Sequence, residues 1–117
     1  MSNKVTIYHN PRCSKSRQTM ELLQSKSITP DVVEYLNTPP DYDELDSLLN
    51  MLGIEPRQLM RKGEAEYKDN NLDDDSLTRK QLIEAMVEYP KLMERPIVVK
   101  NGKAAIGRPP TTVLEIL

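Results

Sequence analysis

The sequence predicts an α/β fold, a mixed four-stranded sheet flanked by helices in the order βαβ, a helical middle, then ββα. Three observations carry this prediction. The β-rich run Val5–Tyr8 is followed by an amphipathic helical pattern and a second β-rich run, which together make a βαβ unit. Between about residues 41 and 93, two capped segments repeat their apolar residues at helical spacing, one from Asp41 to Gly53 and one from Thr78 to before Pro90. Beyond them, two short apolar runs flank Asn101-Gly102, the strongest short hairpin signal in the chain.

In order, the first strand is expected over Val5–Tyr8 and is broken by Asn10-Pro11, since a residue before proline is pushed away from helical geometry. A helix follows over about residues 14–26, with Met20 and Leu23 one turn apart. Residues 31–36 read as a second strand, parallel to the first and joined to it right-handedly. The stiff connection Thr38-Pro39-Pro40 leads to Asp41, a helix cap with Glu44 three residues on. Leu45, Leu48, Leu49 and Leu52 form one helical face, and Gly53 stops it. Residues 54–75 are charged and irregular, consistent with short helical turns. Thr78 with Gln81 repeats the capping signature before a helix that ends ahead of Pro90. Ile97–Lys100 is apolar enough for a central strand, Lys103–Ile106 is its hairpin partner, and a last helix is expected over 111–117. This order is the thioredoxin-like plan. All 117 residues are expected to form one such domain, with a helical insertion at about 41–93.

Composition narrows the function. A net charge of −2 argues against general nucleic-acid or anionic-membrane binding, although it allows a local positive pocket. No stretch approaches the roughly 20 apolar residues of a membrane span, and the start of the chain lacks the apolar run of a secretory signal. A single cysteine excludes an internal disulfide and fits a reducing compartment, so a cytoplasmic protein is expected. With one histidine beside it, no zinc-type ligand set can be assembled, and no metal is expected. A small acidic chain without an obvious apolar patch is expected to be a monomer.

That cysteine, Cys13, lies in His9-Asn10-Pro11-Arg12-Cys13-Ser14-Lys15-Ser16-Arg17, between the first strand and the first helix. Ligands of open α/β sheets bind beyond the carboxyl ends of strands, where this loop falls. A thiol there meets unpaired backbone N–H groups and the positive end of a helix. Arg12, Lys15 and Arg17 add positive charge, with His9 as a further candidate. A free thiol titrates at about 8.5, and such surroundings lower that to about 3.5–7.5. The features that stabilise a thiolate also attract an oxyanion. A lone cysteine is often mere buried filler, but a loop of Pro, Ser and basic residues makes a poor apolar core. Rival chemistries fail on spacing. A dithiol site needs a second Cys where Ser16 stands, and a cysteine-phosphatase loop needs Arg where Thr19 stands. A monothiol remains, one that attacks something anionic and is resolved by a thiol from outside.

The segment His9-Asn10-Pro11-Arg12-Cys13-Ser14-Lys15-Ser16-Arg17 resembles the active-site signature of the glutaredoxin-coupled arsenate reductase family. So do Arg61 in Leu59-Met60-Arg61-Lys62, Arg95 in Glu94-Arg95-Pro96-Ile97, and Arg108 in Gly107-Arg108-Pro109, in the same order along nearly the whole chain. The resemblance implies Cys13 as the nucleophile and Arg61, Arg95 and Arg108 as oxyanion binders. It implies His9, Ser16 and Arg17 as support for the loop, and a cis peptide bond before Pro96. It also implies arsenate as substrate, glutathione as co-substrate, glutaredoxin as protein partner, and no bound cofactor. A planar guanidinium fork suits a tetrahedral oxyanion better than a lysine point charge.

Two other functions fit parts of the pattern. A similar Arg-Pro-Ile segment occurs in Spx-type regulators, which bind RNA polymerase, but those carry a Cys-x-x-Cys switch that Ser16 interrupts. A glutathione-dependent thiol oxidoreductase with another substrate would share the cysteine without needing all three arginines.

Overall fold

The structure is a computed structural model and describes residues 4–117. Its elements are β1 (Val5–Tyr8), α1 (Ser14–Ser25), β2 (Asp31–Val33), α2 (Tyr42–Leu52), α3 (Pro56–Leu59), α4 (Ala65–Asp69), α5 (Arg79–Glu88), β3 (Ile97–Lys100) and β4 (Lys103–Ile106). Two 3₁₀ helices complete it, Pro90–Leu92 and Pro110–Ile116. The chain forms two compact units, one running through Thr38 and resuming at Arg95–Leu117, the other Pro39–Glu94.

The first unit holds the whole sheet, in the order β2-β1-β3-β4. β2 runs parallel to β1, while β3 is antiparallel to both β1 and β4. This is the thioredoxin-like mixed sheet that the element order predicts. Val5 and Ile7 of β1, Val98 of β3 and Ala105 of β4 face the same core as Leu23 of α1 and Val113 of the C-terminal 3₁₀ helix. Met20, Leu22, Ile28, Ile116 and Leu117 close its rim. The β3–β4 turn has φ 52° at Asn101 and 77° at Gly102, the paired positive values that two-residue hairpins demand.

Two elements differ from expectation. β2 stops at Val33, because the amides of Asn37 and Thr38 both donate to the Glu34 carbonyl and turn the chain away from the sheet. The last helix is 3₁₀ in form and starts at Pro110, with no side-chain cap.

In the second unit, Asp41 caps α2 by accepting from the Glu44 amide at 2.8 Å, and Gly53 ends it at φ 68°. Thr78 and Gln81 form a reciprocal capping box on α5. Leu45, Leu48 and Leu49 of α2 and Leu82, Ile83 and Met86 of α5 are buried as these two helices pack together. A 2.8 Å ion pair from Arg79 to Asp46 joins them at the surface. Arg57, which reads as a surface residue in the sequence, instead donates to the carbonyls of Leu72 and Asp74 and straps that turn. Asp74, in the acidic run 73–75, caps the turn by accepting from the amide and hydroxyl of Ser76. Among the described residues, no three His, Cys, Asp or Glu side chains gather as a metal site would require, and no helix is long and apolar enough to cross a membrane.

Candidate active site

The register of the sheet gathers one end of all four strands. Tyr8 at the end of β1 pairs with Val33 of β2 and Ile97 of β3, and Ile97 pairs with Ile106 of β4. The residues just beyond these pairs therefore meet at a single edge. They are His9 and the Cys13 loop, Glu34 and Tyr35, Arg95 and Pro96, and Gly107 and Arg108. The amide of His9 donates to the Val33 carbonyl at 2.8 Å, and that of Gly107 to the Pro96 carbonyl at 2.9 Å. The Arg95–Pro96 and Arg108–Pro109 bonds are both cis.

Cys13 occupies the N-cap of α1 with extended backbone (φ −94°, ψ 126°). At that position a Ser or Asp oxygen would ordinarily accept from the amides of the second and third helical residues. Here those amides belong to Lys15 and Ser16; the sulfur completes no cap hydrogen bond with them, but both favour its anionic form. The loop is tied below it, with the Cys13 amide donating to the Asn10 carbonyl and the Arg17 amide to the Cys13 carbonyl, both at 3.0 Å. The Asn10 side chain accepts from the Arg12 amide at 3.0 Å.

Burial pushes the Cys13 thiol up, but Arg95 and the amides of Ser16 and Lys15 outweigh it and hold the thiol below its ordinary value. Arg108 also reaches the sulfur, its Nη2 lying 3.7 Å from Sγ. Arg108 is aimed by a second bond, from its Nε to the Arg95 carbonyl at 2.7 Å. The thiolate is therefore more accessible than in an ordinary cysteine, on a side chain that is only 8% exposed.

Beneath the loop, Ser16 is fully buried. Its hydroxyl accepts from the Asn10 amide at 3.0 Å and lies 2.6 Å from His9 Nδ1. Burial lowers the His9 pKa, with Glu34 opposing it in part. His9 is therefore less readily charged than a free imidazole, and its contact with Ser16 makes it a hydrogen-bonding prop for the loop.

Arg17, Arg12 and Lys15 present exposed side chains. Arg61 lies in the second unit, where its guanidinium pairs with Glu64 at 3.0 Å and Glu94 at 3.6 Å. A cavity of about 300 Å³ opens beside loop residues 9–12, closed on its other side by Glu34, Leu36 and Asn37.

Tyr35 was not singled out by the sequence pattern. It is 1% exposed, and its hydroxyl is buried without a hydrogen-bond partner, as is Nε of Arg95. The sequence places Tyr35 inside the expected strand 31–36, whereas it lies just past the carboxyl end of the observed β2, which stops at Val33.

The model of the ArsC family matches residues 8–116. An arsenate reductase of Haemophilus influenzae is 50% identical over 114 residues, covering 97% of this chain and 98% of that protein. The Escherichia coli K12 protein YfgD, described as uncharacterized, is 58% identical over 118 residues, 100% of this chain and 99% of its own. Among solved structures, the arsenate reductase from Vibrio cholerae superposes with a TM-score of 0.97 at 52% identity, each chain covering the whole of the other. Similarity of this extent, over nearly the whole chain, means that the chain belongs to the ArsC family.

Proposed function

We propose that the protein is an arsenate reductase in which the Cys13 thiolate attacks arsenate and an external thiol completes the reduction. The observation that carries this reading is the 3.7 Å approach of the Arg108 guanidinium to Cys13 Sγ, beside a thiol already held below its ordinary pKa. Full-length relatives that bear the name arsenate reductase support the choice of oxyanion.

Sγ bonds to arsenic as one arsenate oxygen departs, protonated, as water, leaving a thioarsenate ester. A glutathione thiolate then attacks Sγ. The S–S bond forms while the S–As bonding pair stays on arsenic, which leaves as arsenite. The two electrons of the reduction thus come from the two sulfurs, which end as a mixed disulfide. Glutaredoxin takes the glutathionyl group on its own thiolate and restores Cys13. A single cysteine requires that external route.

Arg95 and Arg108 hold the oxyanion, and His9 and Ser16 fix the loop that presents the sulfur. Arg61 enters as an oxyanion ligand on the family resemblance, and an incoming oxyanion would have to displace its two carboxylate partners. The protein works as a monomer in the cytoplasm, with no bound cofactor and no nucleic-acid partner.

The test is arsenate-dependent NADPH oxidation in a coupled system of glutathione, glutaredoxin and glutathione reductase, comparing the protein with Cys13→Ser. Turnover lost in the variant is expected. No arsenate-dependent rate above the variant would sink the assignment.

A further inference from the structure

From the buried, unpartnered hydroxyl of Tyr35 at the same sheet edge as Cys13, Arg95 and Arg108, we infer that Tyr35 contacts the substrate and donates a hydrogen bond to the oxyanion held there. The inference deepens the oxyanion reading of this site and rests on it.

The register puts Tyr35 where it must be for this role. Val33 closes β2 opposite Tyr8, so the chain leaves the sheet beside the Cys13 loop, and Tyr35 follows two residues later. The ring is fully buried at 1% exposure. A tyrosine whose ring packs so completely normally finds a partner for its hydroxyl, because a buried hydroxyl without one has lost water and gained nothing. Here no partner is in place. The Arg95 and Asn10 side chains face the phenol closely enough for hydrogen-bonding interactions that lower its pKa, but neither reaches hydrogen-bond distance and angle at the hydroxyl. Nε of Arg95 is buried and unpartnered as well. Two unsatisfied donors, one charged and one neutral, thus stand at one edge, and a tetrahedral oxyanion with several acceptor oxygens can satisfy both.

The protonation state fits a donor. Burial pushes the Tyr35 pKa up, opposed in part by Arg95, and the neighbouring Cys13 thiolate raises it further. The phenol thus holds its proton to higher pH than an ordinary tyrosine, while the Cys13 thiol loses its own at lower pH than an ordinary cysteine. The site then offers a cation and a neutral O–H to the substrate while the nucleophile is anionic.

Tyr35→Phe tests this with little change in packing. The readout is the arsenate concentration that half-protects Cys13 from iodoacetamide, each rate normalised to the same protein without arsenate, together with the thermal midpoint. The half-protecting concentration should rise at least tenfold while the midpoint holds or increases, since an unsatisfied buried hydroxyl has been removed. Protection unchanged within twofold would overturn the inference. So would a midpoint that falls along with protection, which assigns the hydroxyl a structural role, or a wild-type protein that arsenate does not protect. Tyr35-dependent protection in a protein that never turns arsenate over would defeat the reductase reading and leave this contact standing.

Discussion

Arg108 Nη2 lies 3.7 Å from Cys13 Sγ although the two residues are 95 positions apart in sequence. The sheet makes the connection. β1 delivers Cys13 through the loop after Tyr8, and β4 delivers Arg108 two residues beyond Ile106. The Arg95 carbonyl then aims the guanidinium by accepting from Nε at 2.7 Å.

Arg108→Ala removes both bonds at once. A hydrogen bond to a charged group contributes about 1.5–3 kcal/mol, so kcat/KM for arsenate should fall roughly 10- to 100-fold. Arg108→Lys should recover little of this, since a lysine cannot bond the Arg95 carbonyl and the sulfur in the same fork geometry. Steady-state kinetics on the two variants check it.

Arg95 is the largest of the influences that lower the Cys13 pKa, after the opposing effect of burial. Arg95→Gln should move the thiol back toward its ordinary value, read as the pH dependence of thiolate absorbance or of alkylation rate. The linked stability has a definite sign. A depressed pKa in the folded state stabilises the fold fully above the unfolded-state value near 8.5, and that contribution is lost as pH falls through the folded value. The wild-type protein should therefore gain stability relative to Arg95→Gln on going from neutral to alkaline pH. A parallel pair of stability curves would contradict this.

His9 is the only histidine, so its titration can be read directly by NMR. Burial holds its pKa below the usual value of about 6.5. In acid the unfolded chain takes up a proton that the folded imidazole resists, so stability should decline as pH falls from about 6.5 toward the folded value. His9→Asn should flatten that stretch of the curve. Ser16→Ala leaves the Asn10 amide and His9 Nδ1 without their shared partner and should cost about 1–3 kcal/mol in denaturant unfolding.

Gly107 is fixed by close approach rather than by unusual backbone. A Cβ there would fall 2.5 Å from Thr19 Oγ1 and 2.8 Å from Cγ of Pro96. The Thr19 hydroxyl is itself bound to the Lys15 carbonyl at 2.8 Å and has little room to move. Gly107→Ala should destabilise by about 1–3 kcal/mol, the usual cost of overpacking. Adding Thr19→Ala should restore part of it, a coupling that a double-mutant cycle would measure.

The elements were legible because their signals are local. Asp41, Gly53, Thr78 with Gln81, and Asn101-Gly102 each carry their own geometry in their chemistry. β2 is shorter than its apolar run because the Glu34 turn competes for the backbone, and nothing in Tyr35-Leu36 announces that turn. The Cys13 loop could be found as a cluster of basic and polar residues around a lone thiol. Which arginine reaches the sulfur could not, because that depends on strand register, as the Arg108 contact shows. Tyr35 and Arg57 were missed for a related reason. An aromatic residue in a strand reads as core and an arginine in a charged stretch reads as surface, until their hydrogen-bonding atoms are placed.

The most direct measurement is the intact mass of the protein after incubation with reduced glutathione and arsenate, glutaredoxin omitted. The account predicts one glutathionyl group on Cys13 that forms only when arsenate is present, since arsenate must accept the two electrons that join the sulfurs. Absence of the adduct, or its formation to the same extent without arsenate, would contradict the central claim.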